Sequence, residues 1–267
     1  MEEAIIIKLV EEIRSQMPRM GTRKLLGLLR EPLSQHGISL GRDKLFNLLL
    51  HHGMLVKNRR RKAVTTDSNH KYRRYPNLVR NITLERPEQL WVSDITYIRV
   101  GLGFSYLSLI TDAYSKKIIG YHLSPNLGEQ GPLTALTMAI AGRQRSGLPL
   151  MHHSDRGFQY CCHSYIEKLN RHKILISMTE KGDPYENAIA ERVNGILKVE
   201  FGLDKTFRTH AEAHEQVAKV VPIYNGQRPH LSCNYLTPEQ AHQSEGVLEK
   251  RWKNYPLKRK LKETGIV

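Results

Sequence analysis

Cysteine is scarce, with three in 267 residues. Three cysteines cannot build the disulfide framework that staples small secreted domains, so a reducing cytoplasm is the compartment expected. Cys161-Cys162-His163 has neither CxxC spacing nor a second Cys/His pair, and a zinc site is not expected there. Long apolar runs are also missing, which removes a bilayer-spanning helix. Glu2 and Glu3 stand where a signal peptide carries basic residues. No GxxxxGK[ST] string occurs, so no ATP-driven motor is indicated. Aromatic residues make up only 7%, and acids run well short of bases: 26 Asp+Glu face 41 Lys+Arg, a net charge of +15. Such an excess points to a polyanionic partner, because a basic surface gains affinity by releasing counterions from nucleic acid. A solvated basic surface or an anionic membrane is the alternative from charge alone. The length and the 40% hydrophobic content suit one sizeable core plus a smaller domain.

Residues 1–56 read as a small helical unit. Ile6, Leu9, Val10 and Ile13 recur at helical spacing until Pro18. Thr22 can cap a second helix bearing Leu25, Leu26, Leu28 and Leu29, fading before Gly37. A third helix runs from near Gly41 to His52, with Leu45, Leu48 and Leu49 inward and Lys44, Asn47 and His51 on the opposite face. A helix-turn-helix DNA-binding domain that would also use Arg42, or a plain three-helix packing module, fits this pattern equally. Residues 57–86 read as a basic linker: Lys57, Arg59, Arg60, Arg61, Lys62, Lys71, Arg73, Arg74, Arg80 and Arg86 face only Asp67 and Glu85, with Tyr72 and Tyr75 interleaved. A run of this kind can track a phosphate backbone.

From Gln89 the pattern turns mixed. Strands are expected at Leu90–Val100, Phe104–Thr111 and Lys116–Leu123, with connections short enough for antiparallel pairing. A helix over Leu133–Arg145, a strand over Leu148–His152, a helix over Cys161–His172, a strand over Ile174–Met178 and a helix over Asn187–Phe201 follow. The order β-β-β-α-β-α-β-α predicts an α/β fold with a mixed five-stranded sheet flanked by helices over 87–203. A helical, basic region is expected over 204–267, with a helix near His210–Val221 and a capped one opening at Thr237-Pro238.

Three acids stand out. Asp94 and Asp155 fall on or just beyond separate expected strands, and Glu191 falls one turn into a helix. Carboxylates that converge repel one another unless a cation sits between them, and an all-oxygen set suits Mg²⁺ or Mn²⁺ better than zinc. Each acid could equally be an isolated turn or surface charge; spacing alone does not decide. Glu191, Asn194 and Lys198 share one helix face, which Glu200 also allows to be an exposed face with a charge pair. His152 and His153 are read as hydrogen-bonding residues at a strand end rather than ligands.

The strings Trp91-x-x-Asp94-x-Thr96-Tyr97, His153-Ser154-Asp155-Arg156-Gly157-x-Gln159-Tyr160 and Tyr185-Glu186-Asn187-Ala188-x-x-Glu191 resemble the DDE transposases of bacterial insertion sequences. The resemblance is to the second-reading-frame (orfB) protein of the insertion-sequence-three group, related to retroviral integrases. Between Asp155 and Glu191 lie 191 − 155 − 1 = 35 residues, the family's interval, and Lys198 matches its basic position. Tyr106-Leu107, Asp112, Ser115, Gly120, Tyr224-Asn225-x-x-Arg228-Pro229-His230, Thr237-Pro238 and Met20-Gly21-Thr22-Arg23-Lys24-Leu25 extend it over nearly the whole chain.

The resemblance implies an RNase H-like core in which Asp94, Asp155 and Glu191 are catalytic and hold two Mg²⁺ or Mn²⁺ ions. It implies cleavage at the element's ends and strand transfer by the freed 3′ hydroxyl, with Arg156 and Lys198 near DNA phosphates and Trp91, Tyr97 and Asn187 supporting the site. The implied partners are transposon-end and target DNA, further copies of the chain, and a first-reading-frame partner or fusion supplying the upstream helix-turn-helix and leucine zipper. Phe158 departs from a usually smaller residue. Two competing readings remain: a DNA-binding regulatory or accessory protein with an inactive core, and an RNase H-like nuclease without strand transfer.

Overall fold

The computed structural model describes residues 2–56, 72–80, 82–180 and 187–249. Three helices open the chain: α1 (Glu2–Gln16), α2 (Thr22–Gln35) and α3 (Arg42–His51). Ile6 and Val10 of α1, Leu25, Leu29 and Leu33 of α2, and Leu45 and Leu49 of α3 are buried together. Leu48 is only half-buried. Thr22 does not cap α2. Gly21 occupies that position in extended conformation, and no side chain closes the end.

Of the basic segment read as a linker, 57–71 lies outside the described residues, and with it Arg59, Arg60 and Arg61. Residues 72–80 are extended and lie along the sheet. Met178 donates its amide to the Pro76 carbonyl, Leu78 donates to Ser177 Oγ, and Arg80 pairs with Glu180 at 2.6 Å. Val79, Ile82 and Leu84 pack on the core, so this half of the segment is bound rather than loose.

The sheet comprises β1 (Leu90–Val100), β2 (Gly103–Asp112), β3 (Ile118–Ser124), β4 (Met151–Ser154) and β5 (Leu175–Met178) in the order β3-β2-β1-β4-β5. β1, β2 and β3 pair antiparallel; β4 and β5 add parallel. Helices α4 (Gln130–Ala141), α5 (Phe158–Cys161) and α6 (His163–Arg171) alternate with these strands, and α7 (Ala188–Val199), α8 (His210–Gln227) and α9 (Pro238–Ala241) follow.

Strand side chains alternate between faces. Trp91 and Ile110 join α4 and α6 on one side, while Ile98, Leu107 and Leu109 join α7 and α8 on the other. A Cβ on Gly120 would lie 2.1 Å from the Ala135 carbonyl oxygen, so β3 can approach α4 only because that residue is glycine.

Several boundaries differ from the sequence pattern: β4 runs Met151–Ser154 rather than 148–152, and α4 ends at Ala141 rather than at 145. α4 starts three residues early because Pro132 sits in its first turn, where no amide donor is needed. The expected 161–172 helix divides at Cys162, whose extended backbone (φ −65°, ψ 153°) separates α5 from α6. α8 continues through Pro222 to Gln227, held by buried Val220, Val221 and Tyr224.

The N-terminal helices share one apolar cluster with α7 and α8. Charges flank the junction. Glu200, just beyond α7, accepts from Arg228 Nε and one terminal nitrogen at 2.9 Å each, and from Lys24 Nζ at 2.5 Å. Arg228 is 1% exposed. Arg19 bridges to Asp204 at 3.2 Å, and its amide donates to the Glu200 carbonyl.

Candidate active site

β1 lies at the middle of the sheet, and Asp94 lies at its middle. The parallel register with β4 runs Trp91 to His152 and Val92 to His153; two residues further along, Asp155 comes beside Asp94. Asp155 stands just past β4, where a turn re-aims the chain. Its Oδ1 accepts the Gly157 amide at 3.0 Å. A Cβ at Gly157 would meet that oxygen at 3.1 Å and Gln159 Oε1 at 3.0 Å. Phe158, the departure noted in the motif, is 38% exposed and carries no such crowding.

α7 crosses the same face of β1. Asn187, immediately before it, donates to the Ser93 carbonyl at 3.0 Å, which ties the helix start to the strand. Asn194 donates to Asp94 Oδ2 at 2.6 Å. Glu191 lies in the first turn of α7, exposed, one turn before Asn194. Burial raises the Asp94 carboxyl to about 7, and the Asp155 charge adds to the shift; Asn194 opposes it, and Glu191 contributes least. Lys198, half-buried one turn beyond Asn194, has its ammonium pKa lowered by burial, while Asp94 and Asp204 act to raise it.

A buried layer supports the floor of the site. His152 Nε2 meets Ser93 Oγ at 2.6 Å and Tyr165 Oη at 2.9 Å. Burial pushes the imidazole down to about 3, so His152 is a neutral hydrogen-bonding residue. His153 Nδ1 meets Ser177 Oγ at 2.8 Å. Burial, with Asp155, lifts the Cys161 thiol to about 11, the wrong direction for a nucleophile.

The expected supporting residues separate. Asn187 reaches the site. Trp91 is a buried core residue beneath it. Tyr97 is not brought to the acids; its ring meets Tyr106 and Phe104 edge-on at 5.2 and 5.7 Å. Asn194 and the Ser93–His152–Tyr165 bonds are the additions geometry makes. Among the expected DNA contacts, Arg156 is half-buried beside Asp155, Arg74 is exposed, and Arg73 lies over the Tyr75 ring at 5.2 Å. On α3, Lys44, Asn47 and His51 are exposed, and Arg42 pairs with Asp43 at 2.8 Å.

Among the described residues, no three carboxylate, imidazole or thiol side chains are close enough to hold an ion as they stand. The donors around Asp94 nevertheless suit a hard cation. They are oxygens, two are carboxylates at close quarters, and Asn187 Oδ1, Asn194 Oδ1 and Tyr160 Oη are buried without a partner.

The integrase core domain matches residues 85–184, and a second profile of the same description matches 172–238. The Shigella sonnei transposase for insertion sequence element IS629 is 32% identical over 225 residues, 84% of this chain and 74% of that one. The chain belongs to the integrase-core transposases of bacterial insertion sequences. A second Shigella sonnei relative, the insertion element IS600 uncharacterized 31 kDa protein, is 34% identical over 84% of this chain and 82% of its own length. A chain of a simian T-cell lymphotropic virus intasome, solved in complex with PP2A regulatory subunit B56 gamma, shares the fold, with a TM-score of 0.51 over 92% of this chain and 78% of that one at 18% identity. The sheet and its flanking helices are thus RNase H-like, and the family is one of nucleic-acid-processing enzymes. Among the described residues, no helix is long and apolar enough to cross a membrane.

Proposed function

We propose that this transposase carries out DDE chemistry, cutting insertion-sequence ends and transferring the freed strand to target DNA. The observation that supports it most is the meeting of three elements at one point: Asp94 on β1, Asp155 after the neighbouring parallel strand, and α7 bonded to Asp94 through Asn194. Asp94 and Asp155 would hold Mg²⁺ or Mn²⁺, with Glu191 completing the set from α7. Bound there, a divalent cation would activate an attacking water or 3′ hydroxyl and neutralise charge on the leaving oxygen.

The chain's own residues do the rest. Asn194 fixes one Asp94 oxygen, Gly157 holds the Asp155 carboxylate, and Asn187 anchors α7. Arg156 and Lys198 would bind phosphates beside the reacting one. Asn47, Lys44, His51 and Arg42, with Arg59, Arg60, Arg61, Arg73 and Arg74, would position the DNA. In this reading residues 1–56 bind DNA, 57–86 follow its backbone, 87–203 carry the chemistry and 204–267 support it. Two ends must be held together, so copies of the chain would assemble on DNA, with a first-reading-frame partner or fusion adding to end recognition.

One alternative is a DNA-binding accessory protein with an inactive core. Incubating the purified chain with labelled end-containing DNA and Mn²⁺ separates the readings. Transposition predicts nicked and joined products; nicks alone indicate a nuclease, and binding without product indicates the accessory role.

A further inference from the structure

The exposed face of α2 carries Arg23, Gly27 and Arg30. It forms one wall of a cleft of about 840 Å³ whose other wall is the segment from Pro229 to Gln240. A second hollow of about 470 Å³, shared through Arg23, Arg42 and Leu231, continues it past the start of α3 to Phe46. Arg23 and Arg30 lie seven residues apart on α2, about 10 Å along the helix axis and on one side. Both are exposed, and neither makes an ion pair with any described residue. Arg42 is the third cation, met by Asp43 at 2.8 Å. Among the described residues that line the larger hollow, none is acidic.

An aromatic ring stands in each hollow. Tyr235 is 39% exposed and held in the left-handed region (φ 63°) directly after Asn234 (φ 52°). Two consecutive non-glycine residues in that region are uncommon. They turn the tyrosine towards α2, where a Cβ at Gly27 would lie 3.8 Å from its ring. Phe46 is 46% exposed in the smaller hollow.

We infer that this cleft binds an unpaired DNA strand, with Arg23 and Arg30 on its phosphates and Tyr235 and Phe46 stacking bases. Cations interleaved with exposed rings in a groove are what single-strand binding uses. A duplex keeps its base faces covered and would leave both rings idle. The inference rests on the chain being a DNA-processing enzyme and adds a strand-binding surface apart from the Asp94 site.

The test is binding in the Asp155→Asn background, which requires no cleavage and therefore stands or falls separately from the catalytic reading. Fluorescence anisotropy is followed with a labelled 12-nucleotide oligothymidine and with a duplex of equal length, from 50 to 200 mM salt. Arg23→Ala/Arg30→Ala should weaken oligothymidine binding at least five-fold and lower its salt slope by about 1.4, two phosphates at about 0.7 each. Duplex binding should change less than two-fold. Tyr235→Asn, which tolerates the left-handed backbone, should weaken oligothymidine at least five-fold with the salt slope unchanged. Circular dichroism melting checks that each variant is folded. Unchanged oligothymidine binding in either variant overturns the inference, and so does an equal loss on the duplex.

Discussion

Lys24 makes a 2.5 Å ion pair with Glu200, yet its removal is expected to stabilise the protein. Only 14% of its side chain is exposed. Burial, reinforced by the nearby Arg228 charge, lowers its pKa from 10.5 to about 8 despite Glu200. A drop of about 2.5 units corresponds to about 3 kcal/mol against the charged form at neutral pH. Arg228 already neutralises Glu200 with two hydrogen bonds, so Lys24 is a second cation on one carboxylate. Lys24→Met keeps the aliphatic volume and removes the charge; it should stabilise the chain by about 1–3 kcal/mol, roughly 2–8 °C in Tm. The pH dependence has a definite sign. Between pH 8 and 10.5 the unfolded chain holds a proton that folded Lys24 releases, so wild-type stability gains from this group as pH rises, and the variant lacks that gain. Urea unfolding at pH 7 and 9.5 measures both. A variant less stable than wild type at pH 7, with an unchanged pH response, would refute the reasoning.

His152 should contribute a slope of the same sign at acid pH. Its pKa is about 3 when folded and near 6.5 unfolded, so stability is lost as pH falls below 6.5. By pH 5 this amounts to about 2 kcal/mol, and His152→Gln should show a correspondingly smaller drop from pH 7 to 5 in urea titrations. Gly157→Ala forces the Asp155 carboxylate to move by a few tenths of an ångström, and strand cleavage should fall about 10- to 100-fold while Tm changes by less than about 3 °C. Wild-type cleavage by that variant would show that the turn does not aim Asp155. Arg228→Met strips Glu200 of its bidentate partner and should destabilise by about 3–5 kcal/mol in the same urea assay, the reverse of Lys24→Met.

The contrast between these two cations marks what the sequence could carry. Alternation from Leu90 to Val100 gave β1 its full length, and Thr237-Pro238 gave α9 with its capping box. Both signals are local. The failures were local rules overruled by packing: Pro222 does not end α8 because Val220, Val221 and Tyr224 are buried around it, and Cys162 breaks a helix that no sequence feature interrupts. In the site, Asp94, Asp155 and Glu191 were legible as motif residues, but the bond from Asn194 to Asp94 exists only once α7 crosses β1. Glu200 read as one charge on an exposed face; its partners stand 28 and 176 residues away. Tyr97 shares a motif with Asp94, yet it lies an odd number of residues along the strand and therefore faces away.

The central claim is that Asp94 and Asp155 act together on DNA. Its most direct test is cleavage of labelled end DNA with Mn²⁺ by wild type, Asp94→Asn and Asp155→Asn, with binding of the same DNA measured in parallel. The account predicts product from wild type alone and DNA affinities within about two-fold of one another. Product from either variant at the wild-type rate, or loss of binding in step with loss of cleavage, would contradict it.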